Sequence, residues 1–278
     1  MGIQNYNQLN RTKVSVIIPV FNSGDTALHS VNSILIQSPS YFYEVIIVDD
    51  YSTDNSVEFL KKNIKNKNNF TVKYVLHDSN KGVGGARNSG IQVSTGTYFA
   101  LLDSDDVWLD GKIESQINFL ETHPSYIMVG ALTNMPGSFI PPVISSKKIN
   151  IDISVNHQCF KNFFQPSTVV IRTAPFKANF VWPSKRYAEE GDVFMRLAYR
   201  YKTCLLNKIF VNYAGGKLGF GHSGLSKKIF ESQSAELKNL KMAYNNGYIN
   251  FLIYSIAVFF SYLKFARRFI ITKLTSKF

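Results

Sequence analysis

The sequence predicts an α/β fold, a doubly wound and mostly parallel sheet flanked by helices and followed by a helical extension. Three observations carry this. Short Val/Ile-rich runs alternate with helical segments from Val14 to Glu121, the pattern of parallel strands joined by crossover helices. Each of the first strands ends in turn-forming or acidic residues, not in a tight hairpin signal. The chain has 278 residues, 45% of them apolar, enough for one large α/β domain or two modest ones.

The elements run in order. Val14-Ser15-Val16-Ile17-Ile18-Pro19-Val20 reads as a buried strand, stopped by Pro19 and a turn over 22–25. A helix is predicted over 26–37. Tyr43 to Val48 is the second strand, closed by Asp49-Asp50. Ser52 to Ser56 starts a helix reaching about Asn63. Phe70 to Leu76 is the third strand, Gly84 to Val93 a helix after a glycine turn, Tyr98 to Leu102 the fourth strand and Gly111 to Glu121 the next helix. Beyond about residue 125 the pattern loosens. Gly137 to Pro142 reads as a loop, Phe164 to Arg172 as a strand, Glu189 to Tyr201 as a helix, Cys204 to Tyr213 as a strand and Gly215 to Gly224 as a glycine-rich loop. Helix returns from about Lys227.

Composition narrows the partners. The net charge of +12 admits nucleic acid, an anionic membrane or phosphorylated small molecules. The basic residues are dispersed and form no nucleic-acid-binding motif, which argues against nucleic acid. Two cysteines, Cys159 and Cys204, form no disulfide framework and lack metal-ligand spacing, so a reducing compartment is expected. The polar stretch from Met1 to Lys13 has no signal core, so secretion is not expected. Ile249 to Leu263 is mostly apolar and is followed by Lys264, Arg267, Arg268 and Lys273. This is the composition of an interfacial membrane anchor. It is short and interrupted for a membrane span, and packing on the catalytic domain or against another subunit is the competing reading.

In any doubly wound sheet, ligands bind beyond the carboxyl ends of the strands. Pro19 to Asn22, Asp49-Asp50 and Asp103-Ser104-Asp105-Asp106 all fall there. Carboxylate oxygens at a strand exit suit Mg²⁺ or Mn²⁺, and these cations suit a diphosphate.

Four segments then carry a resemblance: Val16 to Asn22, Val48-Asp49-Asp50-Tyr51-Ser52-Thr53-Asp54, Gly82 to Gly90 with Ala86-Arg87-Asn88, and Leu102 to Asp106. In this order they resemble the bacterial family 2 glycosyltransferases, the inverting GT-A group that makes surface polysaccharides. The resemblance covers nearly all of residues 14–130. It implies a nucleotide-sugar site with Pro19, Val20, Phe21 and Asn22 beside the base and Asp50 accepting the uracil N3–H, a sound match for an acceptor-only carboxylate. Asp49 holds the turn or caps the next helix. Gly84 and Arg87 would lie near the nucleotide, with Arg87 facing the diphosphate or one of the site carboxylates. Asp103, Ser104 and Asp105 would form the metal and ribose site. Asp105 would be the direct ligand and Asp103 would meet the ribose or a metal-bound water, with Asp106 behind them or capping the next element.

Inverting transfer needs a base at the acceptor hydroxyl. Aligning Arg196-Leu197 with the family's Arg-Leu step puts Glu190 where the family usually has Asp, a departure by one methylene. Asp192 is the alternative, and a plain helix N-terminal charge cluster is the bland one. Lys217, His222 and Ser223 lie in the glycine-rich stretch that resembles the family's lid and would meet donor phosphates, with His222 a candidate further metal ligand; an ordinary flexible loop is the alternative reading of this stretch. Trp108 and Trp182 face either a sugar or the core.

The expected function is metal-dependent transfer from a UDP-sugar to a saccharide or lipid-linked saccharide in capsule, O-antigen or other lipopolysaccharide synthesis, at the cytoplasmic face of the inner membrane, with a homo-oligomer allowed. The competing classes are a metal-dependent nucleotidyltransferase and a non-catalytic membrane- or nucleotide-binding protein. The expected division is a catalytic domain over 1–226, with its nucleotide half at 14–130 and its acceptor and base half at 131–226, then a helical basic segment over 227–278.

Overall fold

The computed structural model describes residues 12–67, 69–135, 149–183, 187–213 and 228–275. The first half has the predicted alternation. It runs β1 (Lys13–Val20), α1 (Gly24–Leu35), β2 (Phe42–Asp49), α2 (Ser56–Asn63), β3 (Phe70–Leu76), α3 (Gly82–Val93), β4 (Tyr98–Leu101), β5 (Val107–Trp108) and α4 (Lys112–Thr122). The second half adds β6 (Tyr126–Thr133), β7 (Asn150–Asp152), α5 (Val155–Phe160), a 3₁₀ turn at Pro166–Thr168, β8 (Val170–Arg172), α6 (Thr173–Asn179), α7 (Glu189–Arg200), β9 (Lys202–Asn212), α8 (Ile229–Asn245) and α9 (Phe251–Thr275).

The described strands form one sheet in the order β3-β2-β1-β4-β8-β6-β9-β5, with β7 added on β9. The β3-β2-β1-β4 portion is parallel throughout, which directs all four carboxyl ends to one edge. Beyond β4 the directions mix: β8 runs antiparallel to both β4 and β6, while β6 and β9 are parallel. The expected strand over 164–172 is therefore shorter. The 3₁₀ turn that begins with Pro166 takes up its first part, because proline has no N–H for a ladder and fits a helical first turn. β6 was not foreseen as a strand, although its residues are nearly all buried.

Strand alternation builds two cores, one on each face. Val14, Val16, Ile18 and Val20 of β1 pack with Val31 and Ile34 of α1, Leu60 of α2 and Ile113 and Ile117 of α4. Ile17, on the other face, packs with Ala86 of α3, Phe176 of α6 and Phe194 and Leu197 of α7. A third cluster joins Val155 and Cys159 of α5, Met195 and Ala198 of α7, Leu240 and Ala243 of α8 and Ala257 of α9. The C-terminal helices are thus mounted on the helix that begins with Glu189-Glu190. The loops expected at 137–142 and 215–224 lie outside the described residues.

At the opposite sheet edge Glu44 acts as a knot. Its fully buried carboxylate accepts from Ser15 Oγ at 2.6 Å, Lys73 Nζ at 2.7 Å and the Thr95 amide at 2.8 Å, joining β1, β2, β3 and the turn into β4. Burial alone would raise its pKa, but the hydrogen bonds from Lys73, Ser15 and Thr95 outweigh this and hold it at about 2. A depressed carboxyl contributes stability that is complete above its unfolded value and is lost as pH falls through the folded one. Glu44→Gln is expected to cost about 2 kcal/mol in urea denaturation at neutral pH, and less as the pH drops towards about 2. A deficit that stays constant down to that pH would contradict the assignment.

Candidate functional site

The parallel register brings the first group together. Val20 lies opposite Asp49, and the Asp50 amide donates to the Val20 carbonyl at 2.8 Å, so the exits of β1 and β2 are locked side by side. Pro19 is half-buried, Val20 is buried and Phe21 is 49% exposed at the edge. Asn22 takes a positive φ of 49°, one of the few non-glycine types that tolerates it, and its side chain accepts from the Thr53 amide at 2.8 Å. Asp49 accepts from the Ser52 amide at 3.2 Å, so it holds the turn, one of its two expected roles.

Asp50 is 4% exposed, and its Oδ1 is fixed from two sides: by His77 Nδ1 at 2.8 Å and by the Lys81 amide at 2.8 Å. His77 in turn meets Ser89 Oγ at 2.8 Å. Sequence reasoning missed His77. It comes directly after β3, and the pairing of Asp49 with Leu76 is what places it beside Asp50. Tyr51 was missed as well. It has φ 70° and is half exposed next to Asp50.

The second group surrounds Arg87 on α3. Its guanidinium is buried and bridges two acids, with Nη2 to Asp103 Oδ1 at 2.9 Å and Nη1 to Glu189 Oε1 at 3.1 Å. Burial opposes its charge, but Asp103 and Glu189 outweigh that and raise its pKa. Its plane lies over Trp182, 5.1 Å from the ring centroid. Trp182 is itself buried and held by Asn88, which donates to its carbonyl and accepts from its amide, both at 2.8 Å. Of the two roles open to Trp182, the structure gives it the core one. Gly84 sits where a Cβ would come within 2.5 Å of the Pro183 carbonyl oxygen, so it permits this close packing of α3.

The acidic turn after β4 is equally constrained. The Asp103 amide donates to Ser167 Oγ at 3.0 Å, and that hydroxyl donates to Asp106. Asp106 is buried behind the turn, as expected of a supporting acid. Ser104 Oγ accepts from Ser23 Oγ at 3.1 Å. Trp108 is fully buried, with Nε1 on the Ser167 carbonyl at 2.8 Å, and so belongs to the core.

The third group opens α7. Ala188 precedes it with φ 50°, and Glu189, Glu190 and Asp192 fill the first turn, where the helix N-terminus favours negative charge. Burial and the neighbouring Glu190 carboxyl raise the pKa of Glu189, against the pull of Arg87. Glu189 therefore keeps its proton more readily than an isolated Glu. Asp192 is engaged by Arg196 Nε at 2.6 Å. Tyr213, just after β9, was another missed neighbour. Burial raises its pKa, and so do Asp106, Asp103, Asp105 and Glu190, which marks the accumulated negative charge of these four acids.

Such oxygen donors fit a hard divalent cation. Among the described residues no three His, Cys, Asp or Glu side chains converge into a cage. Lys217, His222 and Ser223 lie outside the described residues.

Residues 15–208 match the family described as Glycosyl transferase family 2. The chain belongs to this family. Among curated relatives, it is 41% identical over 109 residues to the UDP-Glc:alpha-D-GlcNAc-diphosphoundecaprenol beta-1,3-glucosyltransferase WfaP of Escherichia coli, covering 39% of this chain and 41% of WfaP. Among solved structures, S. aureus TarS 1-349 in complex with UDP-GlcNAc aligns with a TM-score of 0.64 at 21% identity, covering 82% of this chain and 66% of TarS. The mannosyltransferase PcManGT from Pyrobaculum calidifontis, in complex with GDP-Man and Mn²⁺, aligns with a TM-score of 0.67 at 16% identity, covering 85% and 65%. At these identities the structural likeness is one of fold, and it agrees with the expected GT-A architecture. The chain spans 17% to 56% of the length of eight curated relatives it matches.

Removing a cation shared by two acids strands both of them. Arg87→Met is expected to lower stability by about 3 kcal/mol in urea denaturation, and Arg87→Lys, which reaches one acid at a time, by roughly half as much. Equal stability of Arg87→Met and wild type would show that the bridge is not a structural constraint.

Proposed function

We propose that the protein transfers a sugar, with inversion at the anomeric carbon, from a UDP-sugar to a saccharide or lipid-linked saccharide acceptor during synthesis of bacterial surface polysaccharide such as capsule or O-antigen. The observation that carries this reading is the tie of Asp103, at the exit of β4, to Glu189, beside Glu190, through Arg87, with Asp50 fixed by His77 at the carboxyl end of the neighbouring parallel strand β2. Family membership favours sugar transfer over the nucleotidyltransferase and non-catalytic alternatives.

In this reading Asp50 accepts the uracil imide N–H, while Phe21 and the 19–22 backbone flank the base. His77 and Lys81 already hold one carboxylate oxygen, which orients the group for a donor on the ligand. Asp105, with Asp103 beside it, would hold Mn²⁺ or Mg²⁺. When bound, the cation neutralises the departing diphosphate. Ser104, Gly84 and Arg87 would lie near the nucleotide, Gly84 through the packing it permits and Arg87 through Asp103, and Lys217, His222 and Ser223 would meet the donor phosphates, with His222 a further metal ligand. Glu190 takes the proton of the attacking acceptor hydroxyl. The ion pair of Asp192 with Arg196 supports Glu190 over Asp192 as the base. Arg87 holds the preceding residue, Glu189, against Asp103, which supports a position for Glu190 beside the donor. Residues 14–130 would then serve the donor and 131–226 the acceptor. Residues 227–278 form the helical segment that brings the enzyme to the cytoplasmic face of the membrane, where a lipid-linked acceptor is presented.

Glu190→Gln keeps the shape and removes the base. It is expected to reduce turnover about a thousandfold while UDP-sugar affinity changes less than about twofold. Near-normal turnover would sink the assignment. Asp105→Asn is expected to weaken the Mn²⁺-dependent part of donor binding about tenfold or more. An unchanged metal requirement would contradict the role given to Asp105.

A further inference from the structure

α9 has two unlike faces. On one, Ala257 and Ser261 are fully buried, Ser261 Oγ accepts from Gln233 at 2.9 Å, and Lys264 reaches Glu236 at 2.6 Å. This stripe holds the helix on α8 and α5. On the other, Leu252, Ile256, Phe259, Tyr262, Leu263 and Ile270 recur at helical spacing and are 40% to 66% exposed. An apolar stripe of this length is far larger than the scattered hydrophobics of an ordinary surface. Among the described residues no helix is long and apolar enough to cross a membrane.

Charge identifies the occupant. Lys264 and Arg268 of α9 are taken up by Glu236 of α8. Among the described residues this leaves Arg267 on α9 itself, and Lys238 and Lys241 on α8, as the exposed charges of these two helices from Leu237 onward, all positive. A second copy laid against this face would bring like charges together, whereas anionic lipid headgroups neutralise them.

We propose that the exposed face of α9 inserts into the surface of an anionic bilayer, lying in the interface and not crossing it. This names the surface behind the membrane contact in the functional reading and rests on that reading for its purpose, not for its chemistry. The mount is tied to the site: Asn239 of α8 donates to the Ala188 carbonyl at 2.8 Å, one residue before Glu189. Lipid docking would thereby set the position of Glu190 relative to the bilayer.

The test is sedimentation of the full chain with phosphatidylcholine vesicles, with and without about a quarter phosphatidylglycerol, alongside light scattering in solution. The wild type is expected to bind the anionic vesicles about tenfold more tightly than the neutral ones, and to be released at about 1 M salt. The Phe259→Asp/Leu263→Asp double variant is expected to lose binding while keeping its circular dichroism and its slow hydrolysis of a UDP-sugar. Arg267→Glu is expected to lose only the preference for anionic lipid. Failure of the folded wild type to bind would overturn the proposal, as would unaltered binding of the double variant. A dimer that the same double variant dissociates would assign the face to a second copy. Vesicle binding without any UDP-sugar turnover would count against the catalytic reading and leave this one standing.

Discussion

One buried cation organises the site. Arg87 stands between Asp103 and Glu189, two acids that the chain brings from the exit of β4 and the start of α7. A buried guanidinium with two acidic partners is costly to break from any side, because the groups left behind lose their hydrogen bonds where water does not replace them fully. Its geometry is therefore over-determined by its surroundings. Trp182 backs the guanidinium, Asn88 clamps the Trp182 backbone, and Gly84 lets Pro183 approach α3 without a side chain in the way. The acidic turn after β4 and the first turn of α7 are consequently joined through one side chain.

That junction inherits its position from the sheet. Parallel pairing of β2, β1 and β4 sends their carboxyl ends to the same edge, and the 3₁₀ turn before β8 uses Ser167 to fasten the acidic turn through Asp103 and Asp106. The mixed half of the sheet closes the other side, where Tyr213 comes after β9 and senses the collected carboxylates. The C-terminal helices continue the same logic outward. Their buried side grips α7, and the opposite side of α9 remains apolar and exposed.

The parallel half was legible because β1 and β2 are buried on both faces and read as Val/Ile-rich runs, with helical periodicity between the strands. Asp50, Arg87, Asp103 and Asp105 could be named because they sit at strand exits or in short motifs. Residues after 125 gave less. β8 is three residues long behind a proline-led turn, and Gly130 interrupts β6 where the Phe164 ring crosses it. His77 and Tyr213 carry no local signal of their role, since only strand register brings them to the acids. The partnership of Arg87 with Glu189 spans 102 positions and could be foreseen only as an ion pair with some site carboxylate.

The most direct test is calorimetric titration of the purified protein with UDP-Glc, UDP-GlcNAc and GDP-Man, each with Mn²⁺ and again with EDTA. The predicted result is saturable binding of at least one UDP-sugar, about tenfold or more weaker in EDTA, and weaker binding of GDP-Man, as the proposed UDP-sugar donor requires. Binding that ignores the metal, or that favours the guanine nucleotide, would contradict the site described around Asp50, Asp103 and Asp105.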